Sequence, residues 1–278
     1  METKRPIIVK IGGSTLGSHD TTLEDMVTLQ RRGLPLVVVH GGGNRVTEWL
    51  RRQGTPTSFV GGLRVTDERS LEMVAAVLGG LVNADLVAAV NSLGGRAIGM
   101  TGIDGNLIEG KIENAGLGYV GRIVKVNTKA LEAILAAGFI PFIAPPCARS
   151  AGETANVPYL NVNGDEIAGE LAAAMSAQSL IFLTDVEGIR DRQGSLLHKL
   201  TAGEVKSLLA SGVIAGGMIP KAEAALTALN TTPLVQIADG RLPHALIGAV
   251  AGKMAGTIIS TIQVPSSMIP NWSVAHSV

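Results

Sequence analysis

Short runs of β-branched and aliphatic residues alternate along this chain with longer stretches whose apolar positions recur every three or four residues. The short runs predict strands over Ile7–Ile11, Leu36–His40, Ala97–Thr101, Ile140–Ala144, Leu180–Thr184, Leu234–Ala238 and Thr257–Thr261. The longer stretches predict helices over Leu23–Arg32, Asn44–Gln53, Asp67–Leu93, Lys129–Ala137, Asp165–Met175, Ala202–Ser211, Pro220–Leu229 and Pro243–Val250. Such alternation points to right-handed βαβ units and a mainly parallel sheet packed under helices. Two regions break the rhythm. Leu107–Ile112 and Tyr119–Val126 read as hairpin strands, and a shorter hairpin flanks Gly61 and Gly62. Pro145, Pro146 and the Ser150–Thr154 stretch read as loop. The expected organisation is two lobes, 1–175 and 176–278, each holding one ligand, with ligands outside the carboxyl ends of the strands.

Composition narrows the function classes. The 278 residues can bury a sizeable core. Lys plus Arg and Asp plus Glu both number 23, so no global field draws the chain to nucleic acid or anionic lipid. One cysteine, Cys147, excludes an internal disulfide framework and any multi-cysteine metal site, and fits a reducing compartment. Met1–Pro6 has no room for a signal-peptide core. The longest apolar stretch, Leu71–Val90, is interrupted by Glu72, Asn83 and Asp85, short of the ~18 uninterrupted residues of a membrane span. A cytoplasmic protein with small-molecule partners is the expectation, with no nucleic acid and no membrane.

Three glycine-rich junctions follow predicted strands: Ile11-Gly12-Gly13-Ser14, His40-Gly41-Gly42-Gly43-Asn44 and Thr184-Asp185-Val186-Glu187-Gly188. Glycine there lets backbone N–H groups approach a phosphate or carboxylate, and a following helix N-terminus adds free N–H groups. The plain alternative for each is a tight turn without a ligand. Two literal motifs mislead. Gly116-Leu-Gly118-Tyr-Val-Gly121 spells the dinucleotide fingerprint but neither follows a strand nor opens a helix. Gly105-x4-Gly110-Lys111 lacks the hydroxyl residue of a P-loop, because Ile112 comes next.

Four charged residues stand near these junctions. Lys10 is the polar point of an apolar strand just before Gly12, where a lysine needs an anion or a route to water. Lys221 follows Gly216-Gly217-Met218-Ile219-Pro220 at a predicted helix start, where the dipole disfavours a cation unless an anion is near. Asp165, in Asn161-Val-Asn163-Gly164-Asp165, reads either as a helix N-cap or as a carboxylate that orients a ligand. Arg64, in Gly62-Leu-Arg-Val-Thr-Asp67, can fork onto a carboxylate or form a surface ion pair, and Asp67 reads as a cap for the next helix.

The ordered set VKIGGS, HGGG, GLRVTD, NVNGD, LTDVEG and GGMIPK resembles the amino acid kinase family over nearly the whole chain, from Lys10 to about Ser260. The resemblance implies a three-layer αβα sandwich around an open sheet, with an acidic substrate in the first lobe and ATP with Mg2+ in the second. Among its members it points to those that phosphorylate the side-chain carboxylate of N-acetyl-L-glutamate. It implies Lys10 and Lys221 as phosphoryl-stabilising lysines and Asp165 as the carboxylate that organises them. It implies Gly42, Gly43, Arg64 and Asn161 as acid contacts, and Gly12 and Gly13 along the phosphate path. Asp185, Val186, Gly188 and Gly217 would line the nucleotide, and no protein metal site is implied.

Gly164 departs from the family's Ala in the Asn-x-Asn-Ala-Asp pattern. Arginine-inhibited members carry an extra helix before the first strand and a Leu-Glu pair where this chain has Gly248-Ala249, and only nine residues precede Lys10. Neither arginine feedback nor the hexamer built by that helix is expected; a homodimer is. The tail 265–278 has no assigned role. Two other readings stay open: a carboxylate kinase acting on aspartate or on a carrier-protein-linked aminoadipyl or glutamyl group, and a non-catalytic nucleotide- or amino-acid-binding module.

Overall fold

A computed structural model describes residues 4–12, 21–152, 156–253 and 256–261. Gly13, part of the 150–154 loop and the tail 265–278 lie outside the described residues. The elements run β1 (Ile7–Ile11), α1 (Thr22–Arg31), β2 (Leu36–His40), α2 (Gly43–Arg52), β3 (Phe59–Val60), β4 (Leu63–Arg64) and α3 (Glu68–Val74). A π-helical segment (Ala75–Val82) leads into α4 (Asn83–Ser92), β5 (Ala97–Gly102), β6 (Ile108–Ile112), β7 (Gly121–Val126), α5 (Lys129–Ala136) and β8 (Ile140–Arg149). Then come β9 (Tyr159–Asn161), α6 (Gly164–Ala174), β10 (Ser179–Thr184), β11 (Lys199–Thr201), α7 (Ala202–Ala210), α8 (Met218–Ala228), β12 (Leu234–Asp239), α9 (Ala245–Val250) and β13 (Gly256–Ser260).

Eleven strands form one sheet in the order β11-β13-β12-β10-β1-β2-β8-β6-β7, with β5 and β9 also paired to β8. Most pairs are parallel; β12–β13, β6–β7 and β8–β9 are antiparallel. Strand order reverses beside β1, which lies between β10 and β2. In open α/β sheets the crevice at such a switch is where ligands bind.

Strand alternation divides the core between two helical layers. Ile7, Val9 and Ile11 pack with Leu36, Val38, Ile181 and Leu183 under α1, α2, the π segment, α4 and α9. Ile8, Val37, Val39 and Phe182 pack on the opposite face under α5 to α8. The structure is thus the expected αβα sandwich.

The predicted loop at Pro145 and Pro146 is instead the middle of β8. Thr101 pairs with Ala144, but Gly102 pairs with Cys147, so both prolines sit in a bulge on this edge where no ladder N–H is required. The single predicted helix over Asp67–Leu93 contains the π segment, a widening typical of functional sites. Glu68–Ser92 is, among the described residues, long and apolar enough by length and composition to cross a membrane. Here Val74, Val77, Leu78, Val82, Leu86 and Val90 are buried in the layer that holds Ile7, Val9 and Ile11. Cys147 is buried, which pushes its thiol up to about 12, with the charge of Glu166 adding to the effect.

Candidate active site

Lys10 reaches the switch-point crevice by alternation. It shares the face of Ile8, one residue from the end of β1, and so points toward the α6–α8 layer. These two helices touch closely where Gly169 meets Ala224; a Cβ on Gly169 would lie 2.6 Å from the Ala224 carbonyl oxygen. Asp165 is one turn before Gly169 and Lys221 is three residues before Ala224, so both sit on the contacting faces. Lys10 Nζ lies 2.7 Å from Asp165 Oδ1, and Lys221 Nζ donates to Oδ2 at 3.0 Å. One buried carboxylate therefore holds two ammonium groups from opposite sides of the switch point.

Local chemistry leaves the Asp165 carboxylate to the lysines. It is not the helix cap: Asn163 is, with its Oδ1 accepting from the Asp165 N–H at 2.8 Å. Burial alone would raise the Asp165 pKa, but the charges of Lys10 and then Lys221 outweigh it and hold the carboxyl below its ordinary range. Helix α8 begins at Met218, two residues before the predicted start, so Pro220 falls in the first turn, where a missing N–H costs nothing. Lys221 also donates to the carbonyl of Gly217, the N-cap, at 3.3 Å.

Beside Lys10 opens a cavity of about 250 Å³, bordered by Gly42, Gly43, Phe59, Arg64, Asn161 and Gly164 among others. Gly42, at φ 135°, turns the chain from β2 into α2. Arg64 Nη2 donates to the Gly43 carbonyl at 2.8 Å and to Thr47 Oγ1 at 2.7 Å. Arg64 is only 7% exposed, yet among the described residues its Nη1 has no hydrogen-bond partner. Burial lowers its pKa from the usual value. A buried guanidinium with one edge open lacks an acceptor, and a carboxylate supplies one. Arg64 is buried, so the surface ion pair is excluded. Asp67 caps α3 as expected, accepting from Ser70 N at 2.7 Å.

Several neighbours escaped sequence reasoning. Phe59 stacks 4.7 Å from the Arg64 guanidinium carbon. The signal was present, because a two-residue turn at Gly61-Gly62 places Phe59 opposite Arg64. His40 is fully buried; its Nδ1–H donates to the Gly41 carbonyl at 2.8 Å and its Nε2 accepts from Asn83 Nδ2 at 2.9 Å, a tautomer assigned from these partners. Burial, with the nearby Lys10 charge, pushes its pKa down to about 4, against the Gly41 hydrogen bond. Asp239, at the end of β12, takes a two-pronged contact from Arg241 at 2.8 and 2.7 Å.

The remaining sequence candidates lie along the strand ends on the β10 side. Gly12 N–H donates to the Leu183 carbonyl at 3.1 Å, tying the turn after β1 to β10. Asp185 and Val186 are exposed just past β10, and Gly188 packs against Thr257 of β13. The structure thus joins Lys10, Asp165 and Lys221 directly, gathers Gly42, Gly43, Arg64 and Asn161 on one side, and leaves Asp185, Val186 and Gly188 on the other. Among the described residues, no group of three or more His, Cys, Asp or Glu is arranged to hold a metal ion.

A mainly parallel α/β sheet with two lysines sharing one carboxylate at its switch point places this chain among the α/β proteins that bind ligands at the strand ends, with net positive charge there to meet an anion. The sequence places it further. Residues 5–239 match the model of the amino acid kinase family, and the chain belongs to that family. An acetylglutamate kinase of Dehalococcoides mccartyi is 41% identical over 255 residues, 91% of this chain and 94% of the relative. One from Cereibacter sphaeroides is 42% identical over 262 residues, 92% of this chain and 88% of the relative. Among solved structures, an N-acetylglutamate synthase from Neisseria gonorrhoeae, complexed with coenzyme A and N-acetyl-glutamate, superposes with a TM-score of 0.79 at 26% identity. That match covers 94% of this chain and 60% of the synthase.

Proposed function

We propose that this chain transfers the γ-phosphoryl group of ATP to the side-chain carboxylate of N-acetyl-L-glutamate, giving ADP and N-acetyl-L-glutamyl 5-phosphate in arginine biosynthesis. Kinship at 41% identity over 91% of the chain supports the activity. The single observation that carries the mechanism is the Lys10–Asp165–Lys221 bridge.

The nucleophile needs no general base, because a glutamate side chain with pKa ~4.3 is already ionised near neutrality. Neutral His40 is accordingly a brace and not a proton acceptor. The obstacle is repulsion between an anionic nucleophile and a polyphosphate, so catalysis is positioning plus charge neutralisation. Lys10 acts from the acid side, Lys221 from the nucleotide side, and Asp165 keeps both ammonium groups aimed. Arg64 takes the α-carboxylate, Asn161 and the Gly42–Gly43 turn take the rest of the acid, and Gly12 and Gly13 border the phosphate path. The half up to residue 175 holds the acid. The half from 176 holds ATP, along Asp185, Val186, Gly188 and Gly217.

Magnesium would be carried mainly on ATP oxygens and water. Bound there, it masks charge on the β- and γ-phosphates. A homodimer in the cytoplasm completes the reading, and gel filtration checks the mass.

The test is to incubate the chain with MgATP and candidate acids and to trap acyl phosphate with hydroxylamine. Hydroxamate with N-acetylglutamate, and none with aspartate or glutamate, is the expected result. Nucleotide binding without turnover on any acid would make it a binding module instead.

A further inference from the structure

We propose that Thr66 is a positioning residue that sets Arg64 and Asn161 for one acid, held in place by the backbone of Leu117–Tyr119. The inference rests on the reading of Arg64 and Asn161 as acid contacts. Thr66 itself is fully buried and does not border the cavity. Its hydroxyl donates to the Arg64 carbonyl at 2.8 Å and receives the Asn161 Nδ2–H at 3.1 Å. A hydroxyl has one proton. With that proton on Arg64, the Asn161 amide must present its nitrogen to Thr66. Its Oδ1 is then left to accept from a ligand N–H. An acceptor beside a carboxylate-seeking guanidinium fits the amide N–H of an N-acylated amino acid.

The backbone of Thr66 is fixed just as firmly. Its N–H donates to the Leu117 carbonyl at 2.9 Å, and its carbonyl accepts from Tyr119 N–H at 2.7 Å. The Tyr119 carbonyl in turn accepts from Asn161 N–H at 3.0 Å. This ladder passes through Gly118, at φ 69°, where a Cβ would lie 2.3 Å from the Thr66 carbonyl oxygen. Only glycine lets the two chains meet. The Gly116-Leu-Gly118-Tyr-Val-Gly121 run spells a dinucleotide motif in the wrong setting, and its role here is different. It straps the two acid-reading residues into one unit.

Steady-state kinetics of the full chain with N-acetylglutamate and MgATP test this. Thr66→Val removes the hydroxyl and keeps the shape. It should raise KM for the acid about tenfold, the scale of one buried hydrogen bond lost. KM for MgATP and kcat should stay within about twofold. Thr66→Ser should restore the wild-type KM, and thermal melts show whether each variant is folded. If Thr66→Val does not fold, Thr66→Ala takes its place with the same expectation. An unchanged KM for the acid overturns the inference, as does an equal rise for both substrates or a failure of Ser to rescue. In each of those cases the kinase reading survives, because the wild type still turns over. A wild-type chain that does not phosphorylate N-acetylglutamate overturns the functional reading itself, and this inference with it.

Discussion

Two buried cationic centres lie on either side of one small cavity, and they are built in opposite ways. At Asp165, two lysines are matched to one carboxylate, 2.7 and 3.0 Å away. At Arg64, a guanidinium is held by neutral oxygens of Gly43 and Thr47 and by the Phe59 ring, with Nη1 unmatched among the described residues. On the proposed mechanism, the charges that act on a transient phosphoryl group are those with a permanent partner, Asp165. On the same reading, the charge proposed to take the acid's carboxylate is one whose hydrogen bonding the protein leaves incomplete. The first arrangement should be costly to break in catalysis and folding alike. The second should be costly only in binding.

The sharpest way to break that contrast is at Asp165. Asp165→Asn leaves two buried ammonium groups without their counter-charge. Losing one partner of a buried pair typically costs about 3–5 kcal/mol of stability. Denaturant unfolding should show a loss of that order, and kcat should fall at least about a hundredfold. A near-native melting curve would mean that the lysines are matched elsewhere.

Next in size is an effect of pH. His40 is neutral in the fold, with a pKa of about 4 against 6.5 unfolded. Its contribution is present above pH 6.5 and is lost as pH falls from 6.5 toward 4, roughly 3 kcal/mol in all. Urea midpoints should therefore drop across that window, and His40→Gln should flatten the drop. His244, raised by its hydrogen bond to Asp25 and then by that charge, works with the opposite sign. Its share is present below pH 6.5 and fades as pH rises through its folded pKa.

Arg64→Ala tests the other side of the comparison. A lost hydrogen bond to a charged group is worth about 1.5–3 kcal/mol, so KM for the acid should rise by roughly ten- to a hundredfold, with kcat nearly kept. Without ligand, the variant should melt no lower than the parent, because an incompletely matched buried cation is removed. A large drop in unliganded stability would make Arg64 a structural residue. The smallest effect belongs to Gly164, at the first position of α6 with its φ outside the positive range. A Cβ there meets its nearest atom, the His40 carbonyl oxygen, at 3.6 Å. Gly164→Ala should stabilise by about 0.4–1 kcal/mol in urea titrations without changing KM.

The parallel core was legible because strands buried on both faces read as continuous apolar runs, and β1 and β2 fall where the pattern places them. Lys10 stood out because it interrupts such a run. What stayed hidden depends on partners distant in sequence. The Pro145-Pro146 bulge is set by the register of β5, and neither proline announces it. The choice of Asn163 over Asp165 as cap follows from two lysines that arrive from β1 and α8. Thr66 gives no local sign that it joins Arg64 to Asn161.

The central claim is that Lys10 belongs to the chemistry and Arg64 to recognition of the acid. Kinetics of Lys10→Ala test it most directly. Loss of one such donor typically costs ~3–4 kcal/mol of barrier, a fall of some hundreds-fold in kcat. KM for N-acetylglutamate should move by less than about threefold. A variant with near-normal kcat and a strongly raised KM would contradict the account and make Lys10 a second binding residue for the acid.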